Sequence, residues 1–305
     1  MLEESLSLAA LICFACGAVV AIAGFWIKAL RKQAYPFLCA ALGLFFKTSA
    51  IGVSCHFQRT PFFNSSSEIA SLFAWALAFC YLFSLIVSTS RSLGVLMLPF
   101  ITVLLAAAQL LSHQSQNPGV PSNGLLAVHI LSAFLGYSLF LTACGASLLY
   151  LEEVHILRRK IFGLLFGDLP SLERLDRLAS LCIWAGEAIF TVTLCTGAIL
   201  SHETHKSFWQ DYKILATDVT WLLFALLAAG RALHWLNGRR AALFTLAGAL
   251  LVLATFALSH PFGGKGSQSA IRLSTKLETV SLSNGNPQSA IKVLVRLPKG
   301  FIACE

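Results

Sequence analysis

Eight runs of mostly apolar residues, each about long enough to cross a bilayer, decide what this chain can fold into. They cover residues 5–27, 35–53, 68–88, 93–111, 124–151, 179–201, 215–236 and 241–260. About 20 apolar residues in a helix span the hydrocarbon layer. Lipid offers no hydrogen bonds to the backbone, so runs of this kind cross it as helices. The composition agrees: 57% of the 305 residues are hydrophobic and 12% charged, whereas a soluble domain carries about 25% charged residues. The expected fold is all-α, a polytopic membrane protein with eight transmembrane helices. From Gly263 the sequence turns polar. Residues 1–262 are therefore read as the transmembrane domain. Residues 263–305 are read as a weakly structured tail or a short hairpin around Asn284-Gly285.

The net charge of +8 is informative by position. In such proteins Lys and Arg collect in cytoplasmic loops. Loops on one side hold twelve: Lys28, Arg31, Lys32, Arg91, Arg158, Arg159, Lys160, Arg174, Arg177, Arg231, Arg239 and Arg240. Loops on the other side hold three, Arg59, Lys206 and Lys213. This asymmetry puts both termini and the 202–214 loop outside, in a plasma (inner) membrane. It also accounts for the basic balance without a nucleic-acid partner; lipid is the surrounding medium. Glu3 and Glu4 stand where a signal peptide has basic residues, so the first run is expected to be retained. Between runs five and six, Asp168 and Ser171 are helix-start residues. The charges of GDLPSLERLDRLA suit a short amphipathic helix on the cytoplasmic surface.

The nine cysteines are scattered and odd in number, so they imply no disulfide framework. Cys13 and Cys16 form a CxxC followed by Gly17, not by the His of a c-type haem attachment site, and are read as packing thiols. No phosphate-cradling glycine loop, HExxH or nucleophile elbow occurs.

Six of the eight histidines, His56, His113, His129, His202, His205 and His260, fall at the outer ends of runs or in outer loops. Helix packing does not require such a bias, and imidazole is a common axial ligand of haem iron. His129 near the start of run five and His260 at the end of run eight lie at similar depth. Two readings are open: each ring is an interfacial histidine satisfied by a carbonyl or water, or the pair ligates one iron from both faces. Between them projects the loop HETHKSFWQDYK. Its Phe208 and Trp209 offer flat apolar surfaces to a porphyrin, though an aromatic belt explains them equally. Lys206, Lys213 and Arg59 are able to pair with propionates or to remain solvated. Glu187 in run six and Lys47 in run two are ionisable groups at membrane depth. Lys47 is close enough to the outer end to snorkel.

The stretches GDLPSLERLDRLASLCIWAGEAIFTVTLCTGAI, FWQDYK, TWLLFALL and HFQRTPFFNSSSEIASLFAW, with His129, resemble the cytochrome c assembly protein family over about residues 35–260. These are haem-handling membrane proteins of the CcsA/ResC and HemX-like type. In that family a tryptophan-rich outer loop ending in WD-P-K-E holds haem between two outer histidines. The resemblance assigns Trp209, Asp211 and Lys213 to that loop and His129 and His260 to the flanking ligands. It implies haem b as the cofactor, apocytochrome c as the recipient and a second cytochrome c biogenesis membrane protein as partner. His205-Lys206 stands where the family has Trp-Gly, Tyr212 replaces Pro, Ile214 replaces Glu, and the second Trp before Asp211 is missing.

Two functions follow from the resemblance. The first is holding haem at the outer face for delivery to apocytochrome c, as part of a haem lyase complex. The second, motivated by the degenerate loop, is a HemX-like accessory role in haem biosynthesis. A third reading, a small-molecule transporter, rests on Glu187 and Lys47.

Overall fold

A computed structural model describes residues 2–24, 27, 34–54, 66–87, 91–111, 124–159 and 171–259, apart from 204–211. Over these residues the chain forms eight helices: α1 (Leu2–Ala23), α2 (Ala34–Val53), α3 (Ser66–Val87), α4 (Arg91–Leu111), α5 (Gly124–Arg159), α6 (Leu172–Glu203), α7 (Tyr212–Ala232) and α8 (Arg239–Ser259). There is no strand among the described residues. Seven of the helices, α1 to α7, are long and apolar enough to cross a membrane, and the protein is multi-pass. The chain clusters into two units, Met1–Phe256 and Ala257–Glu305. The tail from His260 onward, and with it the expected Asn284-Gly285 hairpin, lies outside the described residues.

Large apolar side chains divide by face, as they do in a bundle whose solvent is lipid. Ile12, Val19, Phe45, Ile86, Val103, Leu226 and Leu250 are more than half exposed, whereas Phe14, Phe73, Phe140, Phe190 and Phe224 are buried. Between helices in lipid the attraction comes from close packing, favoured by small residues, rather than from exclusion of water. The α5–α6 pair demonstrates this. Gly136 of α5 lies under Phe190 of α6, and Gly186 of α6 lies under Phe140 of α5; a Cβ added at either would come within 2.8 or 2.7 Å of the facing ring. Phe140 in turn stacks on Phe224 of α7, with ring centroids 3.7 Å apart and planes 7° apart. This knuckle of two glycines and three rings joins α5, α6 and α7 at mid-depth.

Two elements run further than their apolar content predicts. Helix α5 has 36 residues and α6 has 32, about 54 and 48 Å of helix at 1.5 Å per residue. The charged segment from Leu172 is therefore not a separate amphipathic surface helix but the first turns of α6. Leu175, Leu178, Ala179, Cys182, Ile183 and Phe190 are all buried. They make one continuous stripe that carries the charged segment into the bundle without a break. Ser171 starts the helix as expected, its carbonyl accepting the amides of Arg174 and Leu175 at 2.8 and 3.2 Å. Glu173 and Arg177 pair one turn on at 3.0 Å; both are exposed, so the pair adds only a few tenths of a kcal/mol.

Two cations counted as loop or interfacial charges are inside the bundle. Arg231, in the last turn of α7, has a 5% exposed side chain and an Nη1 that donates to Asp176 of α6 at 3.0 Å. It fastens the arginine-bearing end of the α6–α7 pair. Lys47 does not snorkel to the surface: it is 7% exposed, and its Nζ donates to Ser7 Oγ of α1 at 3.1 Å. The negative charges of Glu3 and Glu68 act on it from α1 and α3. Small residues at the α1–α2 contact let the lysine tip reach α1; a Cβ on Gly43, one turn from Lys47, would meet the Phe14 ring at 3.0 Å.

The seven described cysteines are free thiols. Cys16 is exposed on α1 and Cys13 is partly covered. His155 and His234 are exposed, close to Arg158, Arg159, Arg239 and Arg240. His234 takes a positive φ of 58° in the α7–α8 turn.

Candidate functional site

His129 is the sixth residue of α5, about 44 Å along the helix from Arg158 by the rise per residue. It therefore sits at the end of the pair opposite the arginines. Its ring lies against α6, and two groups there meet it. Nδ1 is 3.0 Å from the carbonyl oxygen of Thr193 and 3.1 Å from Thr196 Oγ1. A carbonyl only accepts, so Nδ1 carries the hydrogen and donates it. The Thr196 hydroxyl spends its own hydrogen on the Val192 or Thr193 carbonyl, at 2.9 and 3.0 Å, which leaves its lone pairs facing Nδ1. The proton on Nδ1 leaves Nε2 with its lone pair, and among the described residues nothing donates to it. The ring is half-buried.

The approach of the ring depends on a missing side chain. A Cβ on Gly197 would lie 3.0 Å from His129 Cε1 and 3.5 Å from Nδ1, so the imidazole rests on bare helix backbone. Below the ring a second chain of hydroxyls sets the height of α5 against α6. Thr193 Oγ1 donates to Ser132 Oγ at 2.9 Å, and Ser132 Oγ donates to the His129 carbonyl at 3.0 Å. Thr193 and Ser132 are buried. In hydrocarbon a hydroxyl without a partner is costly, so these pairs favour one register of the two helices.

On another face of α6, Trp221 of α7 donates its Nε1–H to Thr191 Oγ1 at 3.1 Å, and the Thr191 hydroxyl donates to the Glu187 carbonyl at 2.8 Å. Both carboxyl oxygens of Glu187 are enclosed and have no hydrogen-bond partner among the described residues. Lys47 bonds to α1 instead, so the two intramembrane ionisable groups do not pair.

The expected site residues divide as follows. His129 is described, with its contacts to α6. Lys213 lies in the first turn of α7 and His202 near the end of α6, but their side chains lie outside the described residues. His260, Trp209 and Asp211 also lie outside them, together with Phe208, His205, Lys206, Arg59, His56 and His113. The bounds of α6 and α7 still fix one point: the 204–211 segment connects two helix ends on the His129 side of the bundle. Among the described residues no group of three or more His, Cys, Asp and Glu side chains could hold a metal ion. The residues that sequence reasoning missed are Thr193, Thr196, Gly197 and Ser132. The signal available was a T-x-x-T-G run in a span opposite a histidine-bearing one.

Comparison with known proteins points in one direction. A family model described as Cytochrome C assembly protein matches residues 35–260. Protein HemX of Bacillus subtilis (strain 168) is 29% identical over 135 residues, which is 44% of this chain and 49% of HemX. The chain thus spans about half the length of that relative. Cytochrome c biogenesis protein CcsA of Porphyra purpurea is 25% identical over 264 residues, covering 72% of this chain and 82% of CcsA. The CcsA of Heterosigma akashiwo (strain NIES-293 / 8280G21-1) is 28% identical over 256 residues, covering 71% and 79%. No solved structure matches.

Proposed function

Since the chain belongs to the cytochrome c assembly protein family, we propose that it holds haem b at its non-cytoplasmic face for delivery to apocytochrome c. His129 and His260 would hold the haem iron, and Trp209, Asp211 and Lys213 would contribute to the haem-binding loop. The observation that carries this reading is the state of His129: Nδ1 is occupied by α6 at 3.0 Å, and among the described residues no group bonds Nε2. That is the arrangement of a ligating histidine, whose second nitrogen is normally held by a carbonyl or carboxylate.

In this reading all eight helices cross the plasma membrane, with both termini and the 202–214 loop outside and residues 263–305 as an outer tail. The twelve-to-three distribution of Lys and Arg supports the orientation. Residues 1–262 form the assembly domain. Bound haem supplies the vinyl groups to which reduced substrate thiols add. The chain's own residues would orient it: His129 and His260 would hold its iron, Trp209 would offer it an apolar surface and Lys213 would pair with a propionate. Its partners are the CxxCH segment of apocytochrome c and a second biogenesis membrane protein. The test is the haem content of protein purified in detergent from cells grown with ample haem. Wild type carries a Soret band and His129→Ala loses most of it; equal bands would refute the reading.

The likeness to HemX favours a second reading, an accessory role in haem biosynthesis, and the altered loop at His205-Lys206 and Tyr212 agrees with it. Gene deletion separates the two. Loss of c-type cytochromes at normal total haem supports delivery, whereas altered haem precursors with intact c-type cytochromes support the accessory role.

A further inference from the structure

We propose that Thr196 and Gly197, with the carbonyl of Thr193, are the positioning set of His129: they hold its imidazole in the Nδ1–H tautomer and leave Nε2 as the ligating atom. The inference rests on the haem reading above and adds to it the residues through which α6 tunes the ligand.

Four contacts carry it. The Thr193 carbonyl and the Thr196 hydroxyl approach the same nitrogen at 3.0 and 3.1 Å. A single N–H shared between two acceptors fixes the ring's rotation as well as its tautomer, because turning the ring about Cβ–Cγ loses both. The Thr196 hydroxyl cannot reverse its role cheaply, since its hydrogen already serves the α6 backbone. Gly197 supplies the floor: its absent Cβ would stand 3.0 Å from Cε1, inside ordinary contact distance. Finally, the Thr193–Ser132 bond of 2.9 Å fixes the height at which the Thr193 carbonyl meets the ring. None of the four residues need touch a porphyrin. Their effect passes through the ligand, because a hydrogen bond accepted from Nδ1–H makes Nε2 more basic, and changing such outer partners typically costs about 10–100-fold in affinity.

The three single variants act differently. Thr196→Val keeps the shape and removes one acceptor. Gly197→Ala keeps every hydrogen bond donor and pushes on the ring. Ser132→Ala weakens the α5–α6 register but leaves both Nδ1 acceptors in place. The experiment uses the full chain in lipid nanodiscs. Histidine 15N shifts are recorded without haem, with the His129 signal assigned by its loss in His129→Ala. Haem titration and the ferric electron paramagnetic resonance spectrum follow.

In haem-free wild type the expected His129 signals are a protonated Nδ1 and an unprotonated Nε2. Thr196→Val and Gly197→Ala are expected to mix the tautomers, to weaken haem binding about 10-fold or more and to raise the haem's reduction potential. Thr196→Ser should restore all three readouts, and Ser132→Ala should lower thermal stability without mixing the tautomers. If haem binds through His129 while Thr196→Val and Gly197→Ala leave tautomer, affinity and potential unchanged, the positioning role is overturned. A wild-type His129 protonated at Nε2 in the haem-free chain would overturn it too. If haem binding is indifferent to His129→Ala, the haem reading itself fails, an outcome separate from both.

Discussion

Gly186→Ala should destabilise the protein even though alanine is the better helix former. The added Cβ would lie 2.7 and 2.9 Å from two carbons of the Phe140 ring and 3.3 Å from Leu139 Cβ. To regain ordinary contact the ring must withdraw by about 0.8 Å. It has nowhere to go: Phe140 is 0% exposed, and its far face is stacked on Phe224 at 3.7 Å. Overpacking of this kind costs about 1–3 kcal/mol, and replacing glycine in a helix interior returns about 1 kcal/mol. The net is a loss of about 1 kcal/mol at the middle of the range. Thermal unfolding of the detergent-solubilised protein, followed by size-exclusion of the heated samples, reads this as a lower melting temperature. Phe140→Leu should relieve the clash, so Gly186→Ala made in that background should cost less than in wild type, or be stabilising. A melting temperature raised by Gly186→Ala in the wild-type background would refute the close approach of α5 and α6.

Other perturbations address the buried charges. Asp176→Asn should cost about 1–3 kcal/mol by thermal unfolding, less than a fully buried pair because Asp176 is 38% exposed; unchanged stability would mean that Arg231 is solvated. Ser7→Ala should destabilise by about 1–3 kcal/mol, the cost of leaving the Lys47 ammonium without its acceptor, whereas Lys47→Met, which removes charge and need together, should be near neutral. Glu187→Gln should leave both stability and the Soret band as in wild type, since among the described residues the carboxyl has no hydrogen bond to lose; loss of haem on this change would bring Glu187 into the site.

The helices were legible because a bilayer demands uninterrupted apolar length, and residues 35–53 or 93–111 meet that demand without ambiguity. The long ends of α5 and α6 were not. EEVHILRR and LERLDRL look like surface segments in one dimension, and only the buried stripe through Leu175, Leu178 and Ile183 shows why the helix continues. Lys47 reads as a membrane-depth lysine able to snorkel and Arg231 as a loop charge; their partners, Ser7 and Asp176, are 40 and 55 residues away in sequence, a distance periodicity does not bridge. His129 stood out as an outer histidine, but its hold on Thr193 and Thr196 spans 64 and 67 residues. A threonine in a helix ordinarily bonds its own backbone, so nothing in the sequence marks Thr196 as also serving another helix. Gly197 is legible only once the ring above it is known.

The central claim, one haem held by two imidazoles from α5 and the end of the eighth apolar run, is tested most directly by the ferric electron paramagnetic resonance spectrum of the purified full chain. The account predicts a low-spin bis-histidine signal that turns high-spin in His129→Ala and, separately, in His260→Ala. A low-spin signal that survives either substitution would contradict it.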